Sequence, residues 1–169
     1  MKYYITTDTH FGHEMLVEKG YRPNEFEDLI FTNLVKAQNI DVLVHTGDFC
    51  IGSDEVWHGD FMKCLEHNDA KKILVKGNHD KKSYSWYYDH GWDFVCERFE
   101  MVYQGKKLLF SHEPIMGHTA DLNIHGHLHG AGTASHRKVE GYDPKRHYDT
   151  CPDVHDFKPV DLDFIMKRL

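Results

Sequence analysis

Tyr3-Tyr4-Ile5-Thr6-Thr7-Asp8-Thr9-His10-Phe11-Gly12-His13 opens on a short apolar run and closes on carboxylate and imidazole side chains. Aromatic and β-branched residues in so short a run suit a buried strand, where they pack on a pleated surface. The same succession recurs four times. Val42 to Val44 leads into Gly47-Asp48, and Ile73 to Val75 into Gly77-Asn78-His79-Asp80. Leu108 to Phe110 leads into Ser111-His112-Glu113-Pro114, and Leu122 to Ile124 into His125-Gly126-His127-Leu128-His129. Ligands of open α/β sheets bind beyond the carboxyl ends of the strands, so five such endings predict one shared rim.

Between the first two runs, Pro23-Asn24-Glu25-Phe26-Glu27 reads as a helix start, with Asn24 as cap and Glu27 reaching back in a capping box. Phe26, Leu29, Ile30, Leu34 and Ala37 fall on one apolar stripe. A second helix begins after Ser53 and turns Trp57, Phe61, Cys64 and Leu65 inward, with Gly59 weakening its middle. This alternation of strand and helix predicts right-handed crossovers and a parallel sheet in the N-terminal part. From Trp92 to Ser111 the runs crowd around Gln104-Gly105-Lys106, which predicts hairpin-linked antiparallel strands and so a mixed sheet or two packed sheets. Past Gly130 the chain is polar and broken by Gly132, Gly141, Pro144, Pro152 and Pro159, until Asp161 caps a short C-terminal helix.

A length of 169 residues suits a single domain over 1–169. With 40% apolar and 28% charged residues, the chain can fill a core and cover a surface, which excludes disorder and a membrane bundle. The net charge of −7 excludes a broad basic face for duplex nucleic acid and leaves room for a small basic pocket. No apolar stretch resembles a signal peptide or a membrane span, and Cys50, Cys64, Cys96 and Cys151 lie too far apart for a metal knuckle. Reduced thiols and a cytoplasmic location are the expectation. Fifteen histidines stand out, because imidazole serves both metals and proton transfer. His45, inside an apolar run, is expected to be buried and hydrogen-bonded, and His58, His67 and His90 to be exposed.

The predicted rim gathers Asp8, Asp48, His10, His112, His127, His129 and Asn78. Nitrogen and oxygen donors without thiolate suit Mn, Fe, Zn, Ni or Co better than Ca or Mg. Seven donors exceed one ion's needs and fit two ions sharing a carboxylate, a pair that clamps phosphorus for in-line displacement when spaced about 3.5–4 Å. Taken singly, Asp-x-His is a surface pair, Gly-Asp a turn and a His-rich stretch a solvated loop. Five clusters, each directly after a strand-like run, outweigh those readings together. Gly47, Gly77 and Gly126 let the backbone turn sharply beside the donors.

These blocks resemble the ordered signature of the calcineurin-like metallophosphoesterases: Asp-x-His, Gly-Asp, Gly-Asn-His-Asp or Glu, His, and Gly-His-x-His. The run from Asp8 to His13 with Arg22-Pro23 is similar to the small bacterial and phage branch. The closing segment resembles that branch too, through Arg146, Tyr148, Asp153, Pro159 and Val160, with Asp149 standing where Asn is usual and Pro152 where Val is. The resemblance implies an α/β sandwich of two mixed β-sheets flanked by helices. It implies two divalent metal ions, Mn favoured, with Fe, Zn, Ni or Co as alternatives. Asp8, His10, Asp48 and His129 would hold one ion and Asp48, Asn78, His112 and His127 the other, with Asp48 as bridge. His79 would protonate the leaving oxygen, Asp80 would fix and charge the His79 ring, and a metal-bound hydroxide would attack.

The implied substrate is a phosphate ester. A phosphodiester of a nucleotide or cyclic nucleotide is favoured, since a compact chain with no evident cap domain leaves an open cleft. A phosphomonoesterase or protein phosphatase is the enzymatic alternative. A metal-binding protein-interaction scaffold is the alternative of another class, which has no need of the His79 and Asp80 found here. His13, Arg22, His136 and Arg137 are candidates for further phosphate contacts.

Overall fold

The computed structural model describes residues 1–130 and 139–169, so His136 and Arg137 lie outside the described residues. The chain runs β1 (Tyr3–Thr6), α1 (Glu14–Glu18), α2 (Phe26–Lys36), β2 (Val42–His45), α3 (Asp54–Leu65), β3 (Lys71–Val75), α4 (Tyr84–Asp89), β4 (Phe94–Cys96), β5 (Arg98–Tyr103), β6 (Lys106–Ser111), β7 (Leu122–His125), β8 (His147–Asp149), β9 (Val160–Asp161) and α5 (Leu162–Met166). Each of the five apolar runs is a strand. One sheet has the order β4-β3-β2-β1-β9 and the other β5-β6-β7-β8. Parallel pairing joins β1 to β4, and β9 closes the first sheet antiparallel to β1. Both sheets are mixed, as the sequence implied.

The expectation of antiparallel hairpins after Trp92 holds only for β5 and β6, which turn at Gln104-Gly105 and place Arg98 opposite Ser111. β4 instead pairs parallel with β3, because α4 carries the chain back across the sheet. β7 and β8 likewise extend the second sheet in parallel.

Period-two alternation sorts the strand residues into two cores. Ile5, Val44 and Val75 meet Phe110 and Ile124 between the sheets, while Leu43 and Leu74 face the other way, onto Phe26, Ile30 and Leu34 of α2 and Phe61 and Leu65 of α3. β2 is therefore buried along its whole length. Leu29 lies on the solvent side of α2. The capping box expected at Asn24 does not form. Glu27 accepts instead from the Gly12 amide at 3.2 Å and ties α2 to the loop after β1. Asp161 does cap α5, accepting from the Asp163 amide at 2.9 Å.

His45 is fully buried, 3.0 Å from the Thr9 hydroxyl, and accepts from the Gly47 amide at 3.1 Å. His67 is exposed and His90 half-buried, stacked on Trp86. His58 is buried, contrary to expectation: its ring stacks on Phe49 at 4.0 Å and its Nδ1 accepts from Trp92 Nε1 at 2.9 Å. Burial pushes its pKa down to about 3, so it packs as a neutral ring. All four cysteines are free thiols. Among the described residues, no helix is long and apolar enough to cross a membrane.

Candidate active site

The loops leaving β1, β2 and β7 turn back on themselves through left-handed residues. Asp8, His10, Asp48, His127 and His129 have φ of 45°, 47°, 56°, 68° and 46°. A non-glycine residue there costs about 1–3 kcal/mol, and such residues persist where the surroundings over-determine them. Loop-to-loop hydrogen bonds do so: the Asp8 amide donates to Gly47 O at 2.8 Å, His10 to Asp48 O at 3.1 Å, and Gly126 to His112 O at 2.9 Å. Two glycines make this closeness possible. A Cβ on Gly47 would sit 2.5 Å from the Gly77 amide nitrogen, and one on Gly126 would overlap the Asp8 carboxylate and the Thr7 side chain.

The result is two adjoining groups of donors, Asp8 with His10 and His129, and Asp48 with His112 and His127. Asp8 Oδ2 accepts from Thr7 Oγ1 at 2.6 Å, the His127 amide at 2.8 Å and Cys151 Sγ at 3.4 Å. Its Oδ1 is buried with no hydrogen-bond partner, 3.3 Å from His129 Nε2 and 3.6 Å from His10 Nε2. Asp48 follows the same pattern. Oδ1 accepts from the His79 amide at 2.8 Å, and Oδ2 lies between the groups, 3.3 Å from His112 Nε2 and 3.8 Å from His10 Nε2. Asn78 Oδ1 and His127 Nδ1 are each 3.1 Å from His112 Nε2. An orphaned carboxylate oxygen facing imidazole nitrogens fits a first-row divalent cation, so the donor set passes the chemical test for metal.

A second layer aims these donors. His112 Nδ1 lies 2.8 Å from Thr46 O and His129 Nδ1 2.9 Å from Asp153 Oδ2. Donating Nδ1–H outward leaves the Nε2 lone pair pointing in. Arg22 fixes Asp153 through Nε at 2.9 Å and Nη2 at 2.8 Å, and its remaining donors reach Thr9 O and Asp8 O. Arg22 is 4% exposed, and these bonds engage its guanidinium within the protein. His13 lies at the rim, its ring 5.4 Å from that of His10.

His79 stands at the mouth with a 43% exposed side chain, its Nε2 4.0 Å from Asp48 Oδ2. Asp80 does not hold this ring, contrary to expectation. Its carboxylate folds inward and accepts from the amides of Gly77 at 2.7 Å, Asp48 at 2.9 Å and Phe49 at 3.1 Å. Three backbone amides, two of them buried and in need of an acceptor, outcompete one solvated ring, and Asp80 thereby pins the loop carrying Asp48. Cys151, Thr46 and Thr7 also serve the site, but as isolated residues they carry no spacing signal. Asp149 accepts from the Gly130 and Cys151 amides, which supports the tail beneath His129. Cys50, Asp54 and His58 approach one another as well. Burial pushes the Cys50 thiol up to about 12, Trp92 occupies His58 Nδ1, and Asp54 lies 3.8 Å from Lys82 Nζ, so each member of the trio is engaged elsewhere.

Burial alone would lower His112 and His129. The Asp48 carboxylate and the Asp8 charge override it for His112, raised to about 9, and the hydrogen bond to Asp153 with the Asp8 charge does so for His129, raised to about 10. Both rings therefore hold protons at neutral pH in the metal-free protein. A folded-state pKa above the unfolded value of about 6.5 contributes stability below that value and loses it as pH rises through the folded one. The melting temperature of the chelator-treated protein is expected to fall between pH 7 and 10, and metal uptake at pH 7 to release protons. A flat melting profile over that range would contradict the assignment.

A sequence model of the family described as Calcineurin-like phosphoesterase matches residues 1–166. The uncharacterized protein MJ1445 of Methanocaldococcus jannaschii is 27% identical over 179 residues, covering 99% of this chain and 91% of that protein. The crystal structure of a protein of unknown function, AQ665 from Aquifex aeolicus, matches with a TM-score of 0.78 at 26% identity over 99% of each chain.

Proposed function

The chain belongs to the calcineurin-like phosphoesterase family, and we propose that within this metal-dependent chemistry it hydrolyses phosphodiesters of a nucleotide or cyclic nucleotide, with residues 1–169 acting as one domain. The observation that carries this reading is open space on both sides of the donor groups. Beside the first lies a cavity of about 420 Å³ lined by Leu16, Tyr21, Arg22, His129 and Asp153. Beside the second lies one of about 460 Å³ lined by residues that include Lys76, Asn78, Ser111 and His112. A diester has a substituent on each side of phosphorus, whereas a monoester fills one side only. Either volume is within the range that holds a small organic group.

In this reading Asp8, His10, Asp48 and His129 hold one ion and Asp48, Asn78, His112 and His127 the other, with Mn favoured among Mn, Fe, Zn, Ni and Co. Such a pair, when bound, polarises a phosphoryl oxygen and makes water nucleophilic at neutral pH. Leu16 and Tyr21 give the first cavity an apolar wall for the aromatic part of a substrate. His79 delivers the proton to the departing oxygen from the mouth, where its ring has room to turn. The free thiols suit a reducing compartment, so the cytoplasm is the proposed location.

His79→Gln is expected to lower turnover by about 10²–10⁴ while both metals are retained. Unchanged turnover, with metal content confirmed by elemental analysis, would sink the general-acid role. The class itself is tested by Mn²⁺-dependent cleavage of bis-p-nitrophenyl phosphate against p-nitrophenyl phosphate. Faster diester cleavage is the expected result. A monoester preference would mean a phosphatase, and no cleavage despite two bound metals would mean a scaffold.

A further inference from the structure

We propose that Arg98 selects substrates carrying a second phosphoryl group, one step removed from the reacting phosphorus on the Asn78 and His112 side. The proposal rests on the phosphodiesterase reading above. Arg98 opens β5 and pairs across the ladder with Ser111, the residue directly before His112. Opposed residues of an antiparallel pair keep their Cβ atoms about 4.5–5.5 Å apart, so the Arg98 stem rises beside the donor-bearing segment. Alternation along β5 turns Phe99 and Met101 toward the inter-sheet core and leaves Arg98 in solvent.

Arg98 and Ile115 line both the cavity beside His112 and a further one of about 560 Å³ that continues past Leu109 and His118. One groove therefore leads from the donors around the rim of the second sheet, with Arg98 at its bend. Among the described residues, the Arg98 side chain forms no hydrogen bond or ion pair. The other cation of the inner cavity, Lys76, is engaged: it donates to Lys82 O at 3.0 Å and lies over the rings of Tyr84 and Tyr87. Of the two carboxylates there, Glu97 accepts from the Tyr84 hydroxyl, and Glu113 is not paired with Arg98. An uncommitted planar guanidinium matches a phosphate in bidentate geometry. On a chain of net charge −7, such a local cation decides where a second anionic group comes to rest. Oligonucleotides and bisphosphorylated nucleotides share the required chemistry.

The test is calorimetric titration of Mn²⁺-loaded protein with thymidine 3′,5′-bisphosphate and thymidine 5′-monophosphate. Wild type is expected to bind the bisphosphate about tenfold more tightly, equivalent to about 1.4 kcal/mol. In Arg98→Gln, with an unchanged melting temperature, the ratio is expected to fall to about one. Equal affinities in wild type, or a preference that survives the substitution, would overturn the proposal. Binding is read without turnover, so the two readings fail separately. An Arg98-dependent preference in a protein that cleaves neither nitrophenyl ester would refute the phosphodiesterase reading and uphold the Arg98 contact.

Discussion

Asp48→Ala is expected to abolish turnover and to leave less than one metal ion per chain under dialysis that leaves two on the wild type. Asp48 Oδ2 is the oxygen that faces both donor groups, 3.3 Å from His112 and 3.8 Å from His10. Without it, Asn78, His112 and His127 are neutral donors that face one another, and the first group loses its shared edge. The fall in rate should be about 10⁴-fold or more, the scale seen when one member of a catalytic unit is removed. Elemental analysis of the dialysed variant checks the claim together with steady-state assays. Two retained ions would show that another residue bridges.

Arg22→Met is expected to cost about 3–5 kcal/mol, because breaking a buried pair leaves its partners uncompensated. Those partners are the Asp153 carboxylate and the carbonyls of Asp8 and Thr9. For a chain of this size the loss corresponds to a fall in melting temperature of about 10 °C. Metal affinity should fall about 10–100-fold as well, since Asp153 also orients His129. Thermal denaturation of the metal-free variant separates this role from a contact with substrate. A substrate contact would raise KM and leave the melting curve where it was.

The contrast at Arg22 shows which parts of this protein are legible in its sequence. β1, β2, β3, β6 and β7 can be read from their apolar runs because local propensity and burial agree there. The polar clusters after them can be read as one rim because strand direction is shared within a parallel sheet. Partnerships made across the fold leave no such trace. Asp80 follows His79 in sequence, yet its carboxylate turns to the amides of Gly77, Asp48 and Phe49, a choice made when two loops meet. His58 sits on α3 between Trp57 and Gly59, and it is Phe49, from the loop after β2, and Trp92, just before β4, that close over its ring. The parallel placement of β4 is hidden for a similar reason: three residues carry too little pattern to name a neighbour.

All seven candidate donors lie within the first 129 residues, but their setting is completed by the tail. Cys151 reaches Asp8, Asp153 joins His129 to Arg22, and β9 pairs with β1. A chain cut after residue 149 keeps every candidate donor and loses these supports. Such a truncated chain is expected to bind metal more weakly than the full chain, because Asp8 and His129 would stand without the partners that aim them.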